Sequence, residues 1–140
     1  MRIFKESHPI LLQEQFSFEA IKLDPNNPSI TNNLAVLYQN NLDFFAQQKN
    51  NSRETVLLRI QELYERGIQI SKESRDTINY NWFKLGLANL YHKKINKPES
   101  ALELYQQILK VLEKDPNMEL WLTKEEIEIR IKSLNNQANN

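Results

Sequence analysis

The sequence predicts an all-α protein of about six helices, with antiparallel neighbours and short connections. Three observations carry that prediction. Apolar residues recur at intervals of three and four in one segment after another, the spacing that lines a single face of a helix. No segment shows the sustained apolar–polar alternation of a half-buried strand. The chain uses Gly twice and Pro five times, too few turn formers for a β fold that reverses at short intervals. Each Pro stands where a helix is expected to start or stop.

Ser7, His8 and Pro9 open the first helix, because Pro is tolerated in a first turn where its missing N–H has no partner anyway. Ile10, Leu11, Leu12, Phe16, Ala20, Ile21 and Leu23 give it an apolar face, and Pro25 disfavours α geometry at Asp24, which stops it. Asn26, Asn27 and Pro28 form a turn, and a second helix begins near Ser29 or Ile30. Its stripe is Leu34, Leu37, Tyr38, Leu42 and Phe45, which carries the helix past the Asn40-Asn41 pair towards Gln48. A polar break follows from Lys49 to Ser52, with Ser52 placed to cap the third helix. That helix puts Val56, Ile60, Leu63, Tyr64, Gly67 and Ile70 or Ser71 on one face. Its other face is charged, with Glu62 and Arg66 four apart in the favourable order.

Asp76 can cap the fourth helix, which runs from about Thr77 to His92 with Trp82, Leu85, Ala88 or Asn89 and Tyr91 along it. A basic turn from Lys93 to Lys97 leads to Pro98, which starts a fifth helix faced by Leu102, Tyr105, Ile108 or Leu109 and Leu112. Asp115-Pro116 closes it. Thr123, with Glu126 three residues later, has the form of a capping box for a last helix through Ile127, Ile131 and Leu134. Leu120 and Trp121 extend this helix upstream or staple it. From Asn135 onward a polar tail is expected to fray.

The length, 140 residues, suits one domain with a continuous core. Lys plus Arg balance Asp plus Glu at 18 each, so there is no basic footprint for nucleic acid or an anionic membrane. Cysteine is absent, which excludes disulfides, thiolate metal sites and cysteine nucleophiles together. No window approaches the roughly 18 uninterrupted apolar residues of a membrane helix, and the first residues lack the apolar run of a signal peptide. The expectation is a cytoplasmic protein. Asn is abundant and often paired, which reads as codon bias in an AT-rich genome.

The chain also repeats itself. Residues 19–26 and 109–117 are both helix ends that finish in Asp-Pro-Asn. Leu34-Ala35 and Leu85-Gly86 each set a small residue after a Leu, where another helix can approach closely. These features resemble the tetratricopeptide repeat family, whose signature places Trp, Leu-Gly and Tyr on a first helix and Ala, an aromatic, Ala and Pro on a second. Trp82, Leu85, Gly86, Ala101 and Tyr105 match it, with Ile108 at the second Ala position. Leu34, Ala35 and Tyr38 match in the preceding repeat, with Ile60, Tyr64 and Gly67 on its second helix. Ala20 and Pro25 fit the tail of a half repeat.

The resemblance implies antiparallel helix hairpins stacked as a short right-handed solenoid in one domain, 1–140. Residues 10–25 would be the half repeat, 28–73 a repeat with an extended first helix, 77–116 a near-complete repeat and 119–135 a capping helix. The match is irregular. The family's period is about 34 residues, whereas Leu34 and Leu85 are 51 apart, Asn89 stands at the expected tyrosine, and three extra residues lie between Gly86 and Ala101. The family binds peptides on the concave surface of its first helices. By position, that surface here would be Ser29, Asn32, Asn33, Val36, Gln39 and Asn40, joined by Tyr80, Phe83, Lys84, Leu87 and Tyr91. Only Asn33 and Lys84 are compatible with the family's clamp for acidic chaperone tails, so such a tail is not the expected ligand.

No residue set points to a reaction. His8 and His92 lack a His partner at helical spacing, and His92 at a helix C-terminus is a favourable dipole interaction. Glu125, Glu126 and Glu128 face Arg130 and Lys132 as a solvated helix side. Lys93, Lys94 and Lys97 make a solvated basic turn, without the aromatic interleaving of a single-strand binder. The expected function is therefore a non-enzymatic interaction module, an adaptor or assembly factor that takes a protein or peptide partner and no cofactor or metal. The alternatives are a homodimerisation module or a fragment of a larger repeat protein, since the side of Ile10 to Ile21 leaves apolar surface to cover, and after these an RNA-binding helical repeat.

Overall fold

In the computed structural model, which describes residues 8–138, the first helix starts where Pro9 fixes its opening turn. His8 is the N-cap, with its Nδ1 accepting the Ile10 N–H at 3.1 Å. Ser7, the other half of the expected start signal, lies outside the described residues. Among the described residues seven α-helices follow one another and there is no strand: α1 Pro9–Leu23, α2 Pro28–Asn40, α3 Leu42–Ala46, α4 Arg53–Glu73, α5 Thr77–Leu90, α6 Pro98–Lys114 and α7 Lys124–Ala138. A π turn, Tyr91–Ile95, joins α5 to α6. The chain divides into two compact units, one ending at Arg66 and the other beginning at Gly67.

In the first unit α1 packs against α2. Asp24 ends α1 and Asn27 caps α2 by accepting the Ser29 N–H at 2.9 Å. The core is built from Leu34, Ala35 and Tyr38 of α2, Leu42 and Phe45 of α3, and Val56, Leu57, Ile60 and Tyr64 of α4. The second helix does not continue towards Gln48 as its stripe predicts. It breaks at Asn41, whose Nδ2 donates to the Leu37 carbonyl at 2.9 Å while its backbone leaves helical geometry at φ −131°. A short amide side chain competes for the helix's own carbonyls, and here it wins. The apolar spacing resumes in α3, so Phe45 still reaches the core and meets Tyr38 edge-on with ring centroids 4.8 Å apart. Ser52 caps α4 as expected, its Oγ accepting the Thr55 N–H at 3.1 Å.

In the second unit α5 packs on α6 and α6 on α7. Asp76 caps α5, its Oδ1 accepting the Asn79 N–H at 3.0 Å. Leu85, Ala88, Ala101, Tyr105, Ile108, Leu112, Leu122, Ile127 and Leu134 form one core cluster. The extra residues after α5 are taken up in the π turn, whose exit is Asn96 in the left-handed conformation, φ 60°. Thr123 and Glu126 form the reciprocal capping box. Glu126 N–H donates to Thr123 Oγ1 at 3.1 Å, and Thr123 N–H to Glu126 Oε1 at 3.0 Å. The helix starts directly after the capping Thr123, at Lys124, so Leu120 and Trp121 do not extend it. The buried pair at the staple positions is Leu122 and Ile127. At its other end α7 runs through the expected fray at Asn135 to Ala138.

A close approach between helices is made at Gly67, in the second half of α4. A Cβ there would come within 2.6 Å of Phe83 Cγ, a distance at which the ring would have to move. Gly inside a helix is destabilising by about 1 kcal/mol relative to Ala; here it makes room for a buried aromatic ring.

Candidate functional site

The residues expected to line a groove fall in different units. On α2, Asn33, Val36 and Asn40 are exposed and Asn32 and Gln39 are half-buried. Gln39 is engaged, its Nε2 donating to the Tyr64 hydroxyl at 2.6 Å. On α5, Tyr80 and Lys84 come together as residues i and i+4, with Lys84 Nζ 4.9 Å from the Tyr80 ring centroid. Tyr91 lies in the π turn with Lys97 Nζ 5.6 Å from its ring. Phe83 and Leu87 are not at a surface. Phe83 is 1% exposed, lying over Gly67, and Leu87 is buried as well. The reason is that α5 is covered almost all round: Phe83, Lys84, Leu85, Leu87, Ala88 and Leu90 are all buried, so the two residues that carry its best apolar anchors belong to the core.

The first unit carries a groove of about 580 Å³ lined by Glu14, Phe18, Leu34, Tyr38, Arg59, Glu62 and Leu63. Its floor, Leu34 and Tyr38, is the inward stripe of α2. Its walls come from α1 and α4. Tyr38 donates to Glu14 Oε2 at 2.6 Å. Burial, and then the hydrogen bond and charge of Glu14, push the Tyr38 hydroxyl far above the usual tyrosine range. It therefore stays a neutral donor at any working pH. The mouth carries both signs of charge, Glu14 and Glu62 against Arg59. None of the α2 positions named from the resemblance lines this groove. Nor does α1 bury any residue: Phe16 is 63% exposed and Leu23 88% exposed. The signal in the sequence was partial: at about 100° per residue Phe16 and Leu23 lie on the same side of α1, whereas Phe18 is turned about 160° from Phe16, towards the groove it lines.

A polar cluster in the second unit was not foreseen. Arg130 Nη1 donates to Asn89 Oδ1 at 2.8 Å and to the hydroxyl of fully buried Tyr105 at 3.0 Å. The same hydroxyl lies 3.3 Å from His92 Nδ1, so a neutral His92 can accept from Tyr105 while Tyr105 accepts from Arg130. Burial first, then the charges of Lys93 and Arg130, hold His92 below its ordinary pKa. Burial raises Tyr105. The arrangement joins α5, α6 and α7 by side chains that sequence spacing assigned elsewhere, Arg130 having been read as a partner of Glu126.

Among the described residues, no three His, Asp or Glu side chains gather as they would to hold a metal. No helix among them is long and apolar enough to cross a membrane. No family model, curated protein or solved structure matches the chain.

Proposed function

We propose that this chain is a non-enzymatic protein–protein interaction module of tetratricopeptide-like helix hairpins, which takes a partner's apolar helix or peptide in the groove of its first unit. The observation that carries the reading is that groove, apolar at its floor and charged with both signs at its mouth, lined by three helices. Its volume lies within the roughly 300–1,000 Å³ of ligand sites. An apolar channel between helices is suited to a segment with anchors at i, i+3 and i+4, and Glu14, Glu62 and Arg59 can fix the direction in which it lies.

Selection from a displayed library of helical peptides tests the reading. Binders are expected to share apolar residues at those intervals and to shift the amide resonances around Phe18 and Leu63. Leu63→Glu, at a half-buried position, should weaken them at least tenfold with the fold intact by circular dichroism. Binders indifferent to Leu63→Glu would rule the groove out.

Phe16, Phe18 and Leu23 favour a second reading, in which α1 pairs with α1 of another copy. Light scattering separates the two. A dimer that becomes monomeric in Phe16→Ser/Leu23→Ser supports self-association, and a wild-type monomer up to high micromolar concentration excludes it.

A further inference from the structure

Arg59 and Glu62 stand three residues apart on α4, and both line the groove of the first unit. Their separation along the helix axis is about 4.5 Å, which is pairing distance for side chains on one helix. They do not pair. Among the described residues none of Glu14, Arg59 and Glu62 forms an ion pair within 4 Å. On the α1 wall Glu14 accepts the Tyr38 hydroxyl through Oε2 alone. From the α4 wall the charge of Arg59 acts on the same hydroxyl, against the rise that burial and Glu14 cause. Glu14 and Arg59 therefore hold their charged ends over the floor of the groove at Tyr38. Solvent reaches these ends. Glu62 is exposed, and neither the second Glu14 oxygen nor any Arg59 nitrogen is a buried atom without a partner. An incoming chain can reach them too.

The pattern of signs narrows the occupant. A uniformly acidic helix would set its carboxylates against Glu14 and Glu62. A uniformly basic one would press a cation on Arg59, with both charges partly stripped of water. An uncharged helix would desolvate Arg59 and the carboxylates and give them no partner. What fits is an apolar stripe against Phe18, Leu34 and Leu63, flanked by one acidic and one basic residue a turn apart. The acid then lies opposite Arg59 and the base opposite Glu62. Such a helix fits in one direction only, because reversing it turns the charged flank away from α4.

We propose, on the reading of this groove as a docking site for a helix, that its occupant is an amphipathic helix of a partner protein carrying such an acid–base pair beside its apolar stripe. The probes are three synthetic helices with Leu at i, i+3, i+4, i+7 and i+11. One flank of the stripe carries Glu then Lys a turn apart in the first helix, Lys then Glu in the second and two Ala in the third. Each is titrated against the ¹⁵N-labelled full chain. One charged order is expected to bind about tenfold tighter than the other, with the Ala helix between them. Arg59→Glu/Glu62→Arg should reverse that preference. Glu62→Arg alone, which alters only an exposed side chain, should abolish it, since both orders then meet one attraction and one repulsion. Added salt should shrink it. Equal affinity of the two charged orders, or a preference that the double variant leaves in place, would overturn the proposal, while an Ala helix still bound in the groove would keep the docking site. Failure of all three helices to bind overturns both.

Discussion

Phe83→Ala is expected to destabilise the protein by roughly 3–5 kcal/mol, the range for removing a buried aromatic ring, and to lower the unfolding temperature by about 10 °C or more. The ring is 1% exposed, and the space it fills is open because residue 67 has no side chain. Gly67→Ala alone should also destabilise. It gains about 1 kcal/mol of helix propensity but forces a new Cβ against the ring, an overpacking cost of about 1–3 kcal/mol. The decisive result is the double variant. Once the ring is gone, Ala at position 67 meets no obstacle and keeps its helical advantage, so Gly67→Ala should stabilise Phe83→Ala by up to about 1 kcal/mol. Urea denaturation of the four proteins checks this. A Gly67→Ala effect of the same sign in both backgrounds would show that the two residues are not coupled.

The second large effect lies at Arg130. Arg130→Met should cost about 1–3 kcal/mol, since it leaves Asn89 Oδ1 and the buried Tyr105 hydroxyl without their donor. The same cluster gives stability a pH dependence. His92 is held below its ordinary pKa in the folded chain, so over the interval between the two values the unfolded chain binds more protons. Stability therefore falls as pH drops through about 6.5 and levels off below the folded value. Unfolding midpoints at pH 7.5 and 5.5 measure the drop. His92→Gln should flatten it, and Arg130→Met should shrink it by removing one of the two cations that depress His92. An unchanged drop in His92→Gln would place the titrating group elsewhere.

Local chemistry was legible in the sequence where one or two residues decide the outcome. The Ser52 and Asp76 caps and the Thr123–Glu126 box are short-range, and each makes the hydrogen bond its type and spacing imply. The break at Asn41 was not legible, because the apolar spacing runs unbroken from Tyr38 through Leu42 to Phe45 and only the Asn41 amide, turned back to Leu37, interrupts the helix. Phe83 and Leu87 were misplaced for a different reason. Periodicity identifies an outer face only when one exists, and α5 is buried on nearly every side. The groove of the first unit needs three helices to exist at all, so no single stretch could announce it. Arg130 shows the same limit, since a partner four residues away is visible in a sequence and partners 25 and 41 residues away are not.

Both glycines of this chain are inside helices, and no glycine has a positive φ. The left-handed positions after helices fall instead to Asn50, Arg75 and Asn96, at φ 66°, 57° and 60°. Asn is the side chain that enters this region at least expense after Gly, because its short amide can bond locally. Elsewhere Asn27 caps α2, and Asn51 Nδ2 donates to the Phe45 carbonyl at 3.0 Å. Glycine codons begin with two guanines, whereas asparagine codons begin with two adenines. A genome that drifts towards A and T thus loses its usual hinge letter and gains a serviceable substitute in the same step. In a chain encoded by such a genome, nucleotide composition and turn geometry would pull in one direction, and helix reversals would survive a mutational pressure that otherwise erodes them.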